Sequence, residues 1–229
     1  MKLAKIIAAK TPFYYGWVIL ATAGSTQLIR NVAATLTLAI FLYPMSNDLG
    51  WSRTMIAGAA SAGGLLASVT APLVGWLIDK YGTRIILSIS IVLLSLSTFL
   101  RSWVTVPIMI FATYGVWRVI FNILIQFGTS VLVSRWFIQR RGRANGILAF
   151  CHSVGMTLFP LIASVLIAFN GWQFAWQILG LIAALVILPV LILTEDYPES
   201  IGVDPDMFEN SNITDYQNQG VNNHLKEPV

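Results

Sequence analysis

Arg30 and Arg118 are the residues of this sequence best placed to do chemistry. Each sits about a dozen residues from both ends of a long apolar run, which at ~1.5 Å per residue is too deep for easy snorkelling. Holding one arginine at mid-membrane costs roughly 2.5–3.5 kcal/mol on insertion scales. Such a charge must face a wet cavity or a partner. A guanidinium stays charged and grips a carboxylate through two parallel hydrogen bonds, so the chemistry offered is anion binding. The neighbours extend each site. Tyr114, Arg118, Asn122 and Gln126 recur every fourth residue, along one helical face. Gln27, Arg30 and Asn31 share a face at spacings of three and four. His152, in a later apolar run beside Cys151 and Ser153, is a possible proton site. Interhelical hydrogen bonding that holds the bundle together is the alternative reading for the amides and the arginines, and a lone helix histidine is more often a hydrogen-bonded packing residue.

Other chemistry finds no support. His152 and His224 are the only histidines and Cys151 the only cysteine, so no metal cluster or internal disulfide is expected. No acid–base pair, activated nucleophile or phosphate loop is evident, and neither an enzyme nor a bound cofactor is expected.

The elements that position these residues are legible in composition. Hydrophobic residues make up 56% of the chain and charged residues 10%, against about 25% charged in a soluble domain. This surface faces something other than water. Apolar runs at roughly 16–43, 54–78, 84–101, 106–134, 143–169 and 173–194 predict six transmembrane helices, an all-α membrane bundle over 16–194. Asp48 and Asp79, the only acids before residue 195, fall at opposite surfaces and cannot pair with the deep arginines. Lys2, Lys5, Lys10, Lys80, Arg84, Arg135, Arg140, Arg141 and Arg143 lie on one side, and Arg53 and Arg101 on the other. The excess of positive charge predicts both termini in the cytoplasm, with residues 1–15 as a cytoplasmic amino terminus of a cell-membrane protein. These bases sit between apolar runs and form no nucleic-acid footprint. Residues 195–229 are acidic and polar, and read as a disordered cytoplasmic tail or the remnant of a central loop.

Two loops carry a family resemblance. Gly75-Trp76-Leu77-Ile78-Asp79-Lys80-Tyr81-Gly82-Thr83-Arg84, between the second and third spans, resembles the G-x-x-x-D-(R/K)-x-G-(R/K)-(R/K) signature of the major facilitator superfamily, with Thr83 departing from it. Here Gly75 would let helices approach closely and Gly82 would suit a tight reversal. Asp79 could bond helix amino-terminal N–H groups or a base such as Arg135. Arg135-Trp136-Phe137-Ile138-Gln139-Arg140-Arg141-Gly142-Arg143-Ala144-Asn145-Gly146, with Ser153-Val154-Gly155, resembles the monocarboxylate-porter-like and oxalate/formate-antiporter-like branch. Gly16-Trp17 and Gly50-Trp51-Ser52-Arg53 fit the same branch.

The resemblance implies one six-helix half of a twelve-helix transporter, working by alternating access on a small organic anion such as a mono- or dicarboxylate. It implies Gly75, Asp79, Lys80, Gly82, Arg84 and Arg135 as a gating motif. The partners are then the substrate anion, the lipid bilayer and a second six-helix half, supplied by a separate chain, a further segment or self-association. A membrane sensor or regulatory subunit on the same bundle, or an inactive truncated half, is the alternative.

Overall fold

The computed structural model describes residues 14–119 and 124–202, save the side chains of residues 33, 71, 74, 115–119 and 201. All regular structure among them is helical. Helix α1 (Gly16–Ile29) passes through a tight turn, Arg30–Ala33, into α2 (Thr35–Leu49). Then follow α3 (Arg53–Tyr81), α4 (Thr83–Leu100), α5 (Pro107–Val119), α6 (Gln126–Trp136), α7 (Arg141–Leu185) and α8 (Ile187–Leu193). The boundaries follow local chemistry. Ser52 caps α3, its Oγ accepting from Met55 N at 3.2 Å. Gly82, at φ 82°, reverses the chain between α3 and α4.

Three stretches are long and apolar enough to cross a membrane: Gly16–Leu49, Thr83–Trp103 and Arg141–Leu193. Arg53–Thr70 and Gly75–Tyr81 form a fourth if taken together across a 60° bend, which contains Pro72. The stretch Arg141–Leu193 has 53 residues and doubles back at Asn170 and Gly171, whose φ values are −138° and 80°. Ala144 and Val190, from its two limbs, share an apolar cluster with Tyr15. Trp172, at the turn, donates to Asp48 Oδ2 at 2.8 Å at the far end of the molecule. The span expected over 106–134 corresponds to α5 and α6, each too short to cross alone, with residues 120–123 outside the described residues.

The two larger of three apolar clusters among the described residues stack along the bundle. One gathers Tyr15, Leu87, Trp136, Phe137, Leu148 and Val190. The other is built on Phe41 stacked against Trp176, centroids 3.9 Å apart. Along α1 and α7 the polar residues Gln27 to Asn31 and His152 fall between these clusters, so the fold closes apolar layers above and below a polar one. The outer face is apolar as well, with Leu65, Val69 and Phe169 each 74–77% exposed. Hydrocarbon, not water, suits such a surface.

Arg101 differs from its sequence reading as a base at the membrane surface. It is 1% exposed. Its guanidinium carbon lies 4.2 Å from the Tyr114 ring centre and 5.1 Å from that of Trp176. Its Nη2 faces the Thr113 carbonyl at 3.4 Å. The aromatic faces draw the cation inward, because a desolvated cation–π contact is worth about 2 kcal/mol. Arg101→Ala is expected to destabilise the bundle by about that amount. Thermal unfolding in detergent reads it, and an unchanged midpoint would contradict the assignment.

Candidate functional site

The chain leaves α-helical geometry at Arg30 without a proline or glycine to force it. Arg30–Ala33 form one tight turn, and Ala34 is extended, with ψ 163°. The Asn31 carbonyl released by the break accepts from Ala34 N at 3.1 Å and from Thr37 Oγ1 at 2.9 Å. Arg30 therefore sits at a discontinuity in a membrane-depth helix, where polar backbone is tolerated if it lines a cavity or is buried in protein.

A cleft of about 370 Å³ opens beside it. Gln27 and Arg30 line it from the first segment, Gln126 and Ser130 from α6, and Asn145, Leu148, Ala149 and His152 from α7. The volume lies near the lower end of small-molecule sites, ~300–1,000 Å³. Arg30 is 5% exposed and donates from Nη1 to Gln126 Oε1 at 3.3 Å. Its Nη2 lies 3.3 Å from His152 Nε2. Gln27 Nε2 donates to Thr129 Oγ1 at 2.6 Å, and that hydroxyl donates to the Ile125 carbonyl at 2.7 Å. Asn31 sits behind the arginine, its Nδ2 3.0 Å from His152 Nδ1. The layer is knit by close helix approach at Gly155, where an added Cβ would lie 2.6 Å from the Leu28 carbonyl oxygen.

The structure thus brings together Gln27, Arg30, Asn31, Gln126 and His152, though the sequence set Gln126 on the face of Tyr114. Tyr114 does not join them. It is wholly buried beneath Arg101. Its spacing from Gln126 runs across residues 120–123, which lie outside the described residues. Asn122 and the Arg118 side chain lie outside the described residues. Ser130 and Asn145 are additions. Ser130 follows Gln126 by four residues and Asn145 precedes His152 by seven, so helical spacing from a named site residue could have found both.

The proposed gating motif is arranged differently from its reading. Asp79 is exposed, and the acid that meets the start of α4 is Asp196, whose Oδ1 accepts from Arg84 N at 2.7 Å. A carboxylate there is favoured by the free N–H groups of the helix start. Arg84 Nη1 pairs with Glu195 Oε1 at 3.0 Å, and its Nη2 donates to the Leu191 carbonyl at 2.6 Å. Arg135 donates to Thr83 Oγ1 at 3.0 Å, and its guanidinium covers the Tyr197 ring at 4.5 Å. Trp136 Nε1 donates to the Glu195 carbonyl at 3.0 Å. Lys80 lies over the Trp76 ring at 4.5 Å.

Gly75 meets no described atom within 4 Å of where a side chain would begin, so close packing is not its role among these residues. The bend at Pro72 sets this end of α3 at an angle to the rest, and Leu73 and Trp76 are exposed. The first residues of the expected acidic tail are therefore docked on the motif. Glu195→Ala is expected to cost about 1–2 kcal/mol, since the bond is charged and Arg84 is a quarter exposed. It should also speed proteolysis just after Thr194. Equal cleavage rates in the two proteins would contradict the docking.

Comparison with known proteins accords with this picture. The family model described as Major Facilitator Superfamily matches residues 23–222. The monocarboxylate transporter 6 of Mus musculus is 27% identical over 167 residues, covering 72% of this chain and 35% of that protein. The oxalate:formate antiporter of Oxalobacter formigenes is 28% identical over 186 residues, covering 73% and 43%. The MFS-type transporter YcxA of Bacillus subtilis is 28% identical over 159 residues, covering 69% and 39%. The chain spans less than half the length of these curated relatives. With a family match along most of its length, and with apolar helices around a polar layer, the chain is an integral membrane protein of the Major Facilitator Superfamily.

Proposed function

We propose that this chain supplies half of a secondary transporter for a small organic anion, a mono- or dicarboxylate, with Arg30 as the anion's principal contact. The observation that carries the reading is the cleft itself. A guanidinium at a break in a membrane-depth helix lines a cavity with five other polar side chains, Gln27, Gln126, Ser130, Asn145 and His152. Broken helices with ligands at the midplane are how secondary transporters build their sites. Two of the relatives bear the names of a monocarboxylate transporter and an oxalate:formate antiporter, which supports a small carboxylate.

In this reading Arg30 takes the carboxylate through its fork, and the amides of Gln27, Gln126 and Asn145 bond the remaining oxygens. Arg118 and Asn122 remain candidates from the sequence. The bundle crosses the membrane six times with both termini in the cytoplasm, and a second six-helix half closes the cleft from the other side. The motif around Gly82, Arg84 and Arg135, held by Glu195 and Asp196, then opens and closes with the transport cycle.

Uptake of labelled oxalate and formate into proteoliposomes holding the full-length protein tests the reading. Saturable uptake, accelerated by the same anion loaded inside, is expected. Binding without flux would favour a sensor, and neither binding nor flux would remove the anion assignment.

A further inference from the structure

The cleft beside Arg30 has two unlike ends. At one stand Arg30, Gln126 and His152. At the other, toward the α6–α7 connection, stand Ser130 and Asn145. Ser130 follows Gln126 by four residues and Asn145 precedes His152 by seven. At ~1.5 Å per residue the two ends lie roughly 6–10 Å apart along the helices.

The ends also differ in what they offer a ligand. Arg30 has donors alone. Gln126 turns its Oε1 to Arg30 Nη1 at 3.3 Å, which leaves its NH₂ to a ligand. This end is a set of donors around a fixed charge and suits a carboxylate. Ser130 is the reverse. Its Oγ gives its proton to the Gln126 carbonyl of its own helix at 3.0 Å, so it shows the cleft a lone pair. Asn145 is exposed and brings an amide NH₂ beside that acceptor. Both side chains are neutral, and among the described residues that line the cleft Arg30 is the permanent cation. Arg141, one turn before Asn145, is held by the Phe137 and Ser134 carbonyls at 2.9 and 3.1 Å and does not line the cleft.

We propose that Ser130 and Asn145 are specificity-determining residues, which select a monocarboxylate with a hydroxyl at the end remote from its carboxylate. This rests on the anion reading above. A remote hydroxyl donates to Ser130 Oγ and accepts from the Asn145 NH₂, so it matches both partners. A methyl group matches neither. A second carboxylate has acceptors only, and it meets the Ser130 lone pair with no cation to offset its desolvation. A hydroxyl next to the carboxylate stays at the Arg30 end and does not reach Ser130. A chain of about four carbons fills the gap, with a hydrogen bond of ~2.8 Å at each end. The carboxylates of oxalate are adjacent and both stay at the Arg30 end, so the selection concerns longer acids.

Calorimetric titration of the full-length protein with butanoate, 2-hydroxybutanoate, 4-hydroxybutanoate and butanedioate tests the selection at constant chain length. 4-Hydroxybutanoate is expected to bind about tenfold more tightly than butanoate, the yield of a pair of ordinary hydrogen bonds between neutral groups. Butanedioate should bind no more tightly than butanoate. In Ser130→Ala the advantage of 4-hydroxybutanoate over butanoate should shrink to about threefold or less, because one of the two bonds is gone. The ratio of 2-hydroxybutanoate to butanoate should be the same in both proteins. If Ser130→Ala does not fold, Asn145→Ala carries the same comparison. An advantage undiminished in the variant, no advantage in the unaltered protein, or tighter binding of butanedioate overturns the selection and leaves the anion site standing. Absence of binding by all of these acids, and by formate and oxalate, overturns the anion site and the selection with it.

Discussion

Arg30→Gln is expected to reduce anion uptake by about a hundredfold or more while leaving the protein folded. Removing one side of a hydrogen-bonded, desolvated charge pair costs roughly 2–5 kcal/mol, and each 1.4 kcal/mol is tenfold in affinity. The substituted amide still reaches into the cleft, but it carries neither the charge nor the fork. Stability should move the other way. A buried arginine at membrane depth costs roughly 2.5–3.5 kcal/mol to insert, and the neutral side chain relieves that cost. Thermal unfolding should therefore show a midpoint equal to or above that of the unaltered protein, beside transport that is lost. Arg30→Lys should recover only part of the activity, because a point charge replaces a planar, two-pronged donor. Uptake by Arg30→Gln at the unaltered rate would remove Arg30 from the site.

The second large effect falls on Gly155. A Cβ there would sit 2.6 Å from the Leu28 carbonyl oxygen and 2.7 Å from Asn31 Nδ2. Backbone oxygen cannot swing aside, so α7 must retreat from α1. That retreat pulls His152 away from Asn31 and Arg30. Gly155→Ala is expected to destabilise by about 2–3 kcal/mol, the upper part of the range for overpacking, and to lower transport with it. Gly146→Ala on the same helix is the control. It meets nothing within 4 Å and should be neutral, or stabilising by about 0.5–1 kcal/mol through helix propensity. Melting curves of the two variants measure the contrast. Similar curves would mean that α1 and α7 are not held as closely as the geometry has them.

The sequence made some of this visible and hid the rest for physical reasons. The shortage of charge and the apolar runs follow directly from the solvent the surface must face, so the membrane character was legible. The two loop motifs made the family legible. Gln27, Arg30, Asn31 and His152 were also legible, because polar residues at membrane depth are expensive and must converge on something.

Tyr114 was misplaced because spacing fixes a face of one helix and says nothing about which neighbour that face meets. Arg101 was read as a surface base for a related reason. Its aromatic cage includes Trp176, 75 residues later, a contact only the tertiary fold creates. The break at Arg30–Ala33 carries no glycine or proline to announce it. The exchange of Asp79 for Asp196 at the start of α4 was hidden likewise. It depends on the chain returning after α8 to lie against the loop at Gly82.

The central claim is that a water-filled cleft beside Arg30 receives an anion, and cysteine accessibility tests it most directly. Cys151 is the only cysteine of these 229 residues, so replacing it, and any cysteine of the second half, by serine gives a background free of thiols. Ser130→Cys in that background places one thiol on the cleft wall, four residues from Gln126. A negatively charged thiol reagent applied to the full-length protein should label it from water, and formate or oxalate should slow the labelling in proportion to occupancy. A thiol that the reagent does not reach, or one labelled at the same rate whatever the anion concentration, would contradict the account.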